Sequence, residues 1–163
     1  MNPSTDPRLL PIELARNAWD SNVSRTRRLW DRMTEEQLLR PIAPGKNRGI
    51  YLLGHLIAYH DAFGTLLGLA ERAYPELDAV FLHNPDQADQ PVPALSELKV
   101  AWDTVHQRLT NHITQLSPDD WFGPHTAVTP EEFARQPHRN KFNVLLNRTN
   151  HLSYHLGQLR LLQ

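Results

Sequence analysis

The period of the apolar residues constrains this chain most. They recur every three to four positions over four long stretches, and no segment alternates as a half-buried strand would. The first stripe is Ile12, Ala15, Trp19, Val23, Trp30 and Met33, which places a helix from about Ile12 to Met33. A second helix is expected from about Asn47 to Arg72. A third runs from roughly Leu95 to Leu116 on Leu98, Trp102, Val105, Leu109 and Leu116, and a fourth from near Asn140 to the chain end.

Punctuation between the stripes supports these boundaries. "TEEQ" from Thr34 reads as a capping box opening a short turn that Pro41 and Pro44 close. "SPDDW" and "TPEEF" set Ser or Thr before Pro, suiting an N-cap and first helical residue, so short helical turns are expected between residues 117 and 136. The proline-rich connection "YPELDAVFLHNPDQADQPVP" is long enough to cross the end of a bundle. There is no internal repeat, interdomain linker or low-complexity tract. The expected architecture is all-α, a four-helix bundle with one long crossover and short extra helical turns, forming a single domain over residues 1–163.

Composition removes several classes of function. The 17 Lys and Arg against 18 Asp and Glu leave a formal net charge of -1, without the basic footprint of a nucleic-acid-binding protein. No cysteine is present, which excludes disulfides, thiolate ligands and a cysteine nucleophile. The opening "MNPSTDPRLLPIEL" lacks the charged and apolar regions of a signal peptide. The most apolar stretch, "GIYLLGHLIAY", is far short of the ~18 residues a membrane span needs. A cytoplasmic protein acting on a small molecule, without nucleic-acid or membrane partners, is expected, and a homodimer is left open.

The chemistry collects in "NHLSYHLGQLRLL", residues 150–162, where His151 and His155 stand four apart. Nine histidines in 163 residues give roughly 0.4 such pairs by chance, so orientation has to decide. With His151 at zero on a wheel of ~100° per residue, His155 falls near 40°, with Asn147 and Gln158 within about 40° on the other side. Leu145, Leu152, Leu156 and Leu159 form one wall, and Tyr154 and Leu161 lie on the other. Thr149, Ser153 and Arg160 mark the expected solvent face. The pair therefore points inward. A third imidazole should come from "LLGHLIAYHD". There His55 lies in the stripe of Leu52, Leu56, Tyr59, Phe63, Leu66 and Ala70, whereas His60 falls at its edge. Gly54, Ile57, Asp61, Gly64 and Gly68 occupy the far side.

Three inward histidines, His55, His151 and His155, suit a Zn²⁺-like site with an open fourth position. The same residues equally suit a structural polar cluster, with the pair bonded to backbone, Asn147 or Gln158.

Gly54-His55-Leu56 on the second helix and His151, His155, Gly157 and Gln158 on the fourth resemble the "GHL" and "HxxxHxGQ" motifs of the DinB-like metal-binding four-helix proteins. The approach "PIAPGKNRGIYLLGHL" is also similar. The resemblance implies an up-down-down-up bundle with a three-histidine site for a divalent metal, zinc or nickel. Some members are S-transferases that use mycothiol or bacillithiol, so the resemblance also implies a low-molecular-weight thiol as cosubstrate.

Other residues are read as supporting. Tyr59, a turn beyond His55, could position a substrate or simply fill the core. Arg148 could bind a carboxylate or serve as an ordinary helix-end cation. His112 reads as structural, and His83, His106, His125 and His138 as solvated. Glu13, Asp20, Asp31 and Asp61 point away from the site and Asn22 points inward, so no carboxylate base is expected. A metal on three neutral imidazoles would then activate a thiol or water directly. The expected function is a metal-dependent enzyme, S-transferase or hydrolase, acting on a small electrophile. The alternative is a non-catalytic metal- or small-ligand-binding stress protein.

Overall fold

The computed structural model describes residues 6–69 and 71–163; the expectation for Ala70 lies outside the described residues. In chain order the helices are α1 (Leu9–Arg32), α2 (Glu35–Leu39), α3 (Gly49–Leu67), α4 (Leu77–Phe81), α5 (Leu95–Ile113), α6 (Pro118–Phe122), α7 (Pro130–Arg135) and α8 (Lys141–Leu159). A 3-10 turn, Arg160–Leu162, follows. The fold is all-α, a helical bundle, and the described residues contain no strand. No helix among them is long and apolar enough to cross a membrane.

Side-chain partners give the helix directions. His60 meets His106, and Leu67 meets His112, so α3 and α5 run parallel. His55 meets His151 while Tyr59 meets Arg148, so α8 runs against α3. Trp19 packs on His106 and Trp30 on Trp102, which sets α1 antiparallel to α5. The order is therefore up-down-down-up. The parallel pair requires a long crossover, and residues 68–94 supply it.

The caps act as their sequences imply. Thr34, Ser117 and Thr129 each accept from the backbone N–H three residues on, in capping boxes with Gln37, Asp120 and Glu132. Asn140 caps α8 through Asn143 N–H. The second long helix ends earlier than its apolar stripe suggests, at Leu67 rather than Arg72. Gly68 takes a left-handed φ of 107°, and Leu69 N–H returns to the Gly64 carbonyl, which together terminate the helix. The third likewise stops at Ile113, three residues short of Leu116.

The crossover is pinned at both ends over α3. Arg48 makes a two-atom ion pair with Asp86, whose carboxylate also accepts from the first N–H of the α3 cap. Burial pushes the Asp86 carboxyl upward, but the Arg48 bonds outweigh it and hold it below the usual carboxylate value. At the other end Arg72 bridges Asp61 and Asp78. Between these clamps lies α4, a helix the sequence pattern did not reveal. Its Phe81 is completely buried in a notch left by Gly54; a Cβ there would stand 2.3 Å from the ring.

Three expectations about faces are corrected. Of the 19 residues of α3, 13 are buried, so its far side is not solvent: Ile57 and Gly54 meet the core and crossover, and Asp61 accepts from Ala73 and Tyr74 N–H. Thr149, expected on the solvent face of α8, is buried and donates to the Leu145 carbonyl. Tyr154 and Leu161, expected to wall the histidine pair, are 63% and 65% exposed. An outer position on a wheel is solvent only where no neighbour covers it. The helices around α3, and α1 against α8, decided these cases.

Candidate metal centre

Helix geometry brings His151 and His155 together on one face of α8, and the antiparallel packing of α3 brings His55 to meet them. Their Nε2 atoms converge: His151 Nε2 lies 3.3 Å from that of His55 and 3.1 Å from that of His155. The ligand atoms of all three lie within 4.8 Å of one another, so the group could hold a metal ion. A tetrahedral ion with bonds of ~2.0–2.1 Å separates its ligand atoms by about 3.3 Å.

The outer nitrogens fix the tautomers. His55 Nδ1 is 3.0 Å from the Phe81 carbonyl, which can only accept, so Nδ1 carries the proton. His155 Nδ1 is 2.7 Å from Gln158 Oε1, and the amide's Nε2 donates to the Tyr154 hydroxyl. His155 Nδ1 is therefore also the donor. Both Nε2 atoms consequently face the centre as bare lone pairs, the arrangement that outer hydrogen bonds impose on metal-ligating imidazoles. One proton on His151 Nε2 could satisfy only part of this cluster, and His151 Nδ1 is buried without a partner in either tautomer. With that proton on Nδ1 instead, three lone pairs point at a single space, which a cation satisfies.

Electrostatics keeps the three rings neutral. Burial lowers the pKa of His55, against the opposing Phe81 carbonyl. It lowers His151 to about 3, with His155, His55 and Arg148 adding to the effect. His155 is lowered by burial and His55, against the Gln158 bond. Neutral imidazole is the ligating form. Among the described residues no carboxylate joins the group.

Tyr59 and Arg148 extend the site. The Tyr59 ring stacks 5.6 Å from His55 at 17° and lies 4.4 Å from His151. Arg148 donates Nη1 to the Tyr59 hydroxyl at 2.7 Å, with its guanidinium carbon 4.0 Å from the ring centroid. Gln158 joins through His155. Asn147 is exposed, with no hydrogen bond linking it to the imidazoles.

The remaining histidines need two corrections. His60 is wholly buried rather than at the edge of a stripe, and His106 is buried rather than solvated. His106 donates Nδ1–H to the Trp102 carbonyl at 2.8 Å, so its Nε2 accepts from His60 Nδ1 at 3.0 Å. Trp19 and Trp102 enclose this dyad. His112 donates to the Leu67 carbonyl, the structural role expected of it. His83 and His138 are exposed, whereas His125 is half-buried.

The sequence reading missed the Phe81 carbonyl altogether. The one signal for it was Gly54 beside His55, a residue whose missing side chain lets another group approach α3. A groove of about 630 Å³ lined by Tyr74, Leu77, Val92 and Leu98 lies between the crossover and α5. It borders none of the three histidines, so concavity and metal-binding chemistry do not coincide, and the convergent donors identify the site.

A family model described as the DinB superfamily matches residues 18–159, a span that includes α3, the crossover and all of α8. No curated protein matches the chain.

Proposed function

The chain belongs to the DinB superfamily, and from that premise we propose that it binds a divalent ion, zinc or nickel, on His55, His151 and His155. We read it as a metal-dependent enzyme that activates a thiol cosubstrate or water against a small electrophile. The observation that carries this reading is the convergence of three imidazoles, with His151 Nε2 3.3 Å from that of His55 and 3.1 Å from that of His155, and two of the rings with their Nδ1 protons committed to other acceptors. Nitrogen donors suit first-row divalent ions.

A divalent ion there supplies Lewis acidity that lets a thiol or water lose its proton near neutral pH. The chain's own residues hold and orient. The Phe81 carbonyl and Gln158 aim two of the imidazoles, and Tyr59 walls the space beside His55 and His151. Arg148 offers positive charge to a substrate, and the exposed Asn147 is assigned to its outer edge. The chain contributes neither a cysteine nor, among the described residues of the cluster, a carboxylate. Both the nucleophile's sulfur, in the thiol form of the reaction, and the means to deprotonate it therefore have to be brought to the site.

Protein purified without an affinity tag is expected to carry close to one divalent ion per chain by metal analysis. Content far below one, unchanged after incubation with zinc or nickel, overturns the reading. Metal held only by the native state should raise the unfolding free energy by about 2.7 kcal/mol at a hundredfold excess over Kd. A chelator should not abolish helical circular dichroism, because the core is built from apolar residues of every long helix.

Gly54→Ala tests the crossover's part. The added Cβ meets the Phe81 ring, so overpacking should cost about 1–3 kcal/mol. Displacing Phe81 removes the carbonyl that orients His55, so zinc affinity should fall about tenfold or more. Urea unfolding and a competitive zinc titration read the two effects, and unchanged affinity would show that the Phe81 contact does not serve the site.

A further inference from the structure

Most partly buried arginines have a carboxylate partner; among the described residues Arg148 has none, and neither does Arg16 of α1, whose Nε is likewise buried without a hydrogen bond. Arg48 pairs with Asp86, Arg72 with Asp61 and Asp78, and Arg27 with Asp31 and Asp103. Arg148 is half-buried and pairs with no carboxylate among the described residues. Its Nη1 is used by the Tyr59 hydroxyl, its Nε is buried without a partner, and its Nη2 donates to no described atom. Tyr59's ring and hydroxyl are a partial compensation for a desolvated cation, not a counter-ion. Glu132 of α7, the helix before α8, is already paired with Arg139 at 3.5 Å.

This guanidinium sits beside the three imidazoles. Its side chain leaves α8 one turn before His151, and a single aromatic ring, Tyr59, separates it from His151 and His55. The imidazoles are neutral and no carboxylate joins them, so a divalent ion there would add positive charge to positive charge. No described carboxylate balances that charge.

We infer that the site takes a small molecule bearing a carboxylate, which Arg148 binds while the reacting group of the same molecule lies at the three histidines. The inference rests on the metal-centre reading for its second half and on Arg148 alone for its first. A carboxylate fits better than a phosphate. One guanidinium with Nη2 uncommitted matches the single charge of a carboxylate, and no second cation is hydrogen-bonded into the group.

Two probes of equal length, mercaptoacetate and 2-mercaptoethanol, test this on cobalt-substituted protein through the sulfur–metal absorption band. Mercaptoacetate is expected to bind about tenfold tighter or more. Arg148→Gln should reduce that preference to about twofold at unchanged cobalt stoichiometry, and Arg148→Lys should retain part of it. In metal-free protein, acetate should shift the Arg148 side-chain N–H resonance, identified by its loss in Arg148→Gln, whereas chloride at equal ionic strength should not. Equal affinity for the two thiols, a preference that survives Arg148→Gln, or an acetate-insensitive Arg148 resonance overturns the inference. Failure to take up cobalt overturns the metal reading instead, and the acetate titration then decides the role of Arg148.

Discussion

Replacing His55 with alanine is expected to weaken zinc binding about a hundredfold or more, whereas His60→Ala should leave affinity within a few-fold and weaken the fold instead. Loss of a group that merely orients a ligand already costs about 10–100-fold in affinity, so loss of a ligand should exceed that. His55 Nε2 faces His151 across 3.3 Å, while His60, five residues on, points to the opposite side of α3 and bonds to His106. His60→Ala empties a fully enclosed position and leaves His106 Nε2 without its donor, which together should cost about 2–5 kcal/mol. Zinc titration and urea unfolding of both variants separate the effects. The reverse ranking in the zinc titration would show that α3 presents the other histidine to α8.

Acid should destabilise the protein well before its carboxylates protonate. Burial lowers the His106 pKa from 6.5 to about 4, against the opposing Trp102 carbonyl and Asp103. Burial, together with the effect of His106, His151, Arg148 and His55, holds His60 well below 6.5. Both pKa values are depressed in the folded state, so below pH 6.5 the unfolded chain takes up protons that the folded chain refuses. The associated stability is complete above pH 6.5 and is lost as pH falls toward the folded values. For His106 alone the loss amounts to about 3 kcal/mol by pH 4. Urea unfolding of chelator-treated protein from pH 7 to pH 4.5 should show the decline, and replacing both partners, His60→Phe with His106→Leu, should make it shallower, leaving the part that the depressed His55, His151 and His155 contribute. A wild-type stability independent of pH over that window would mean that the dyad is solvated in solution.

The histidines show where sequence reading succeeds and where it stops. A wheel separates His55 from His60 correctly by direction, yet it misjudges their environments: the rejected His60 is the more deeply buried. It also assigns His106 to water. Both errors come from treating each helix as having one covered face. Trp19 of α1 closes over the side of α3 that carries His60, and the same tryptophan covers His106 on α5. No periodicity within α3 or α5 records that cover.

Arg148 and Asn147 make the same point on α8. Both fall near His151 on the wheel, within about 60° of it, but Arg148 is drawn inward by stacking on Tyr59, while Asn147 remains exposed. Neighbouring helices, not angular position alone, select which polar side chain joins the site.

Local physics was legible in the sequence by itself. Helical periodicity placed the four long helices, Ser and Thr with an acid or amide three residues on marked the caps of the short ones, and four-residue spacing set His151 and His155 on one face. These properties depend on backbone hydrogen bonds and side chains within one or two turns, so the order of residues is sufficient. Tertiary structure alone decided the end-to-end placement of the crossover and the notch that Gly54 offers Phe81. It also decided the protonation pattern, since the acceptor that turns His55 Nε2 toward α8 is a carbonyl 26 residues away. A backbone carbonyl is common to every residue and leaves no mark in the sequence. Only the folded chain shows which one it brings to an imidazole.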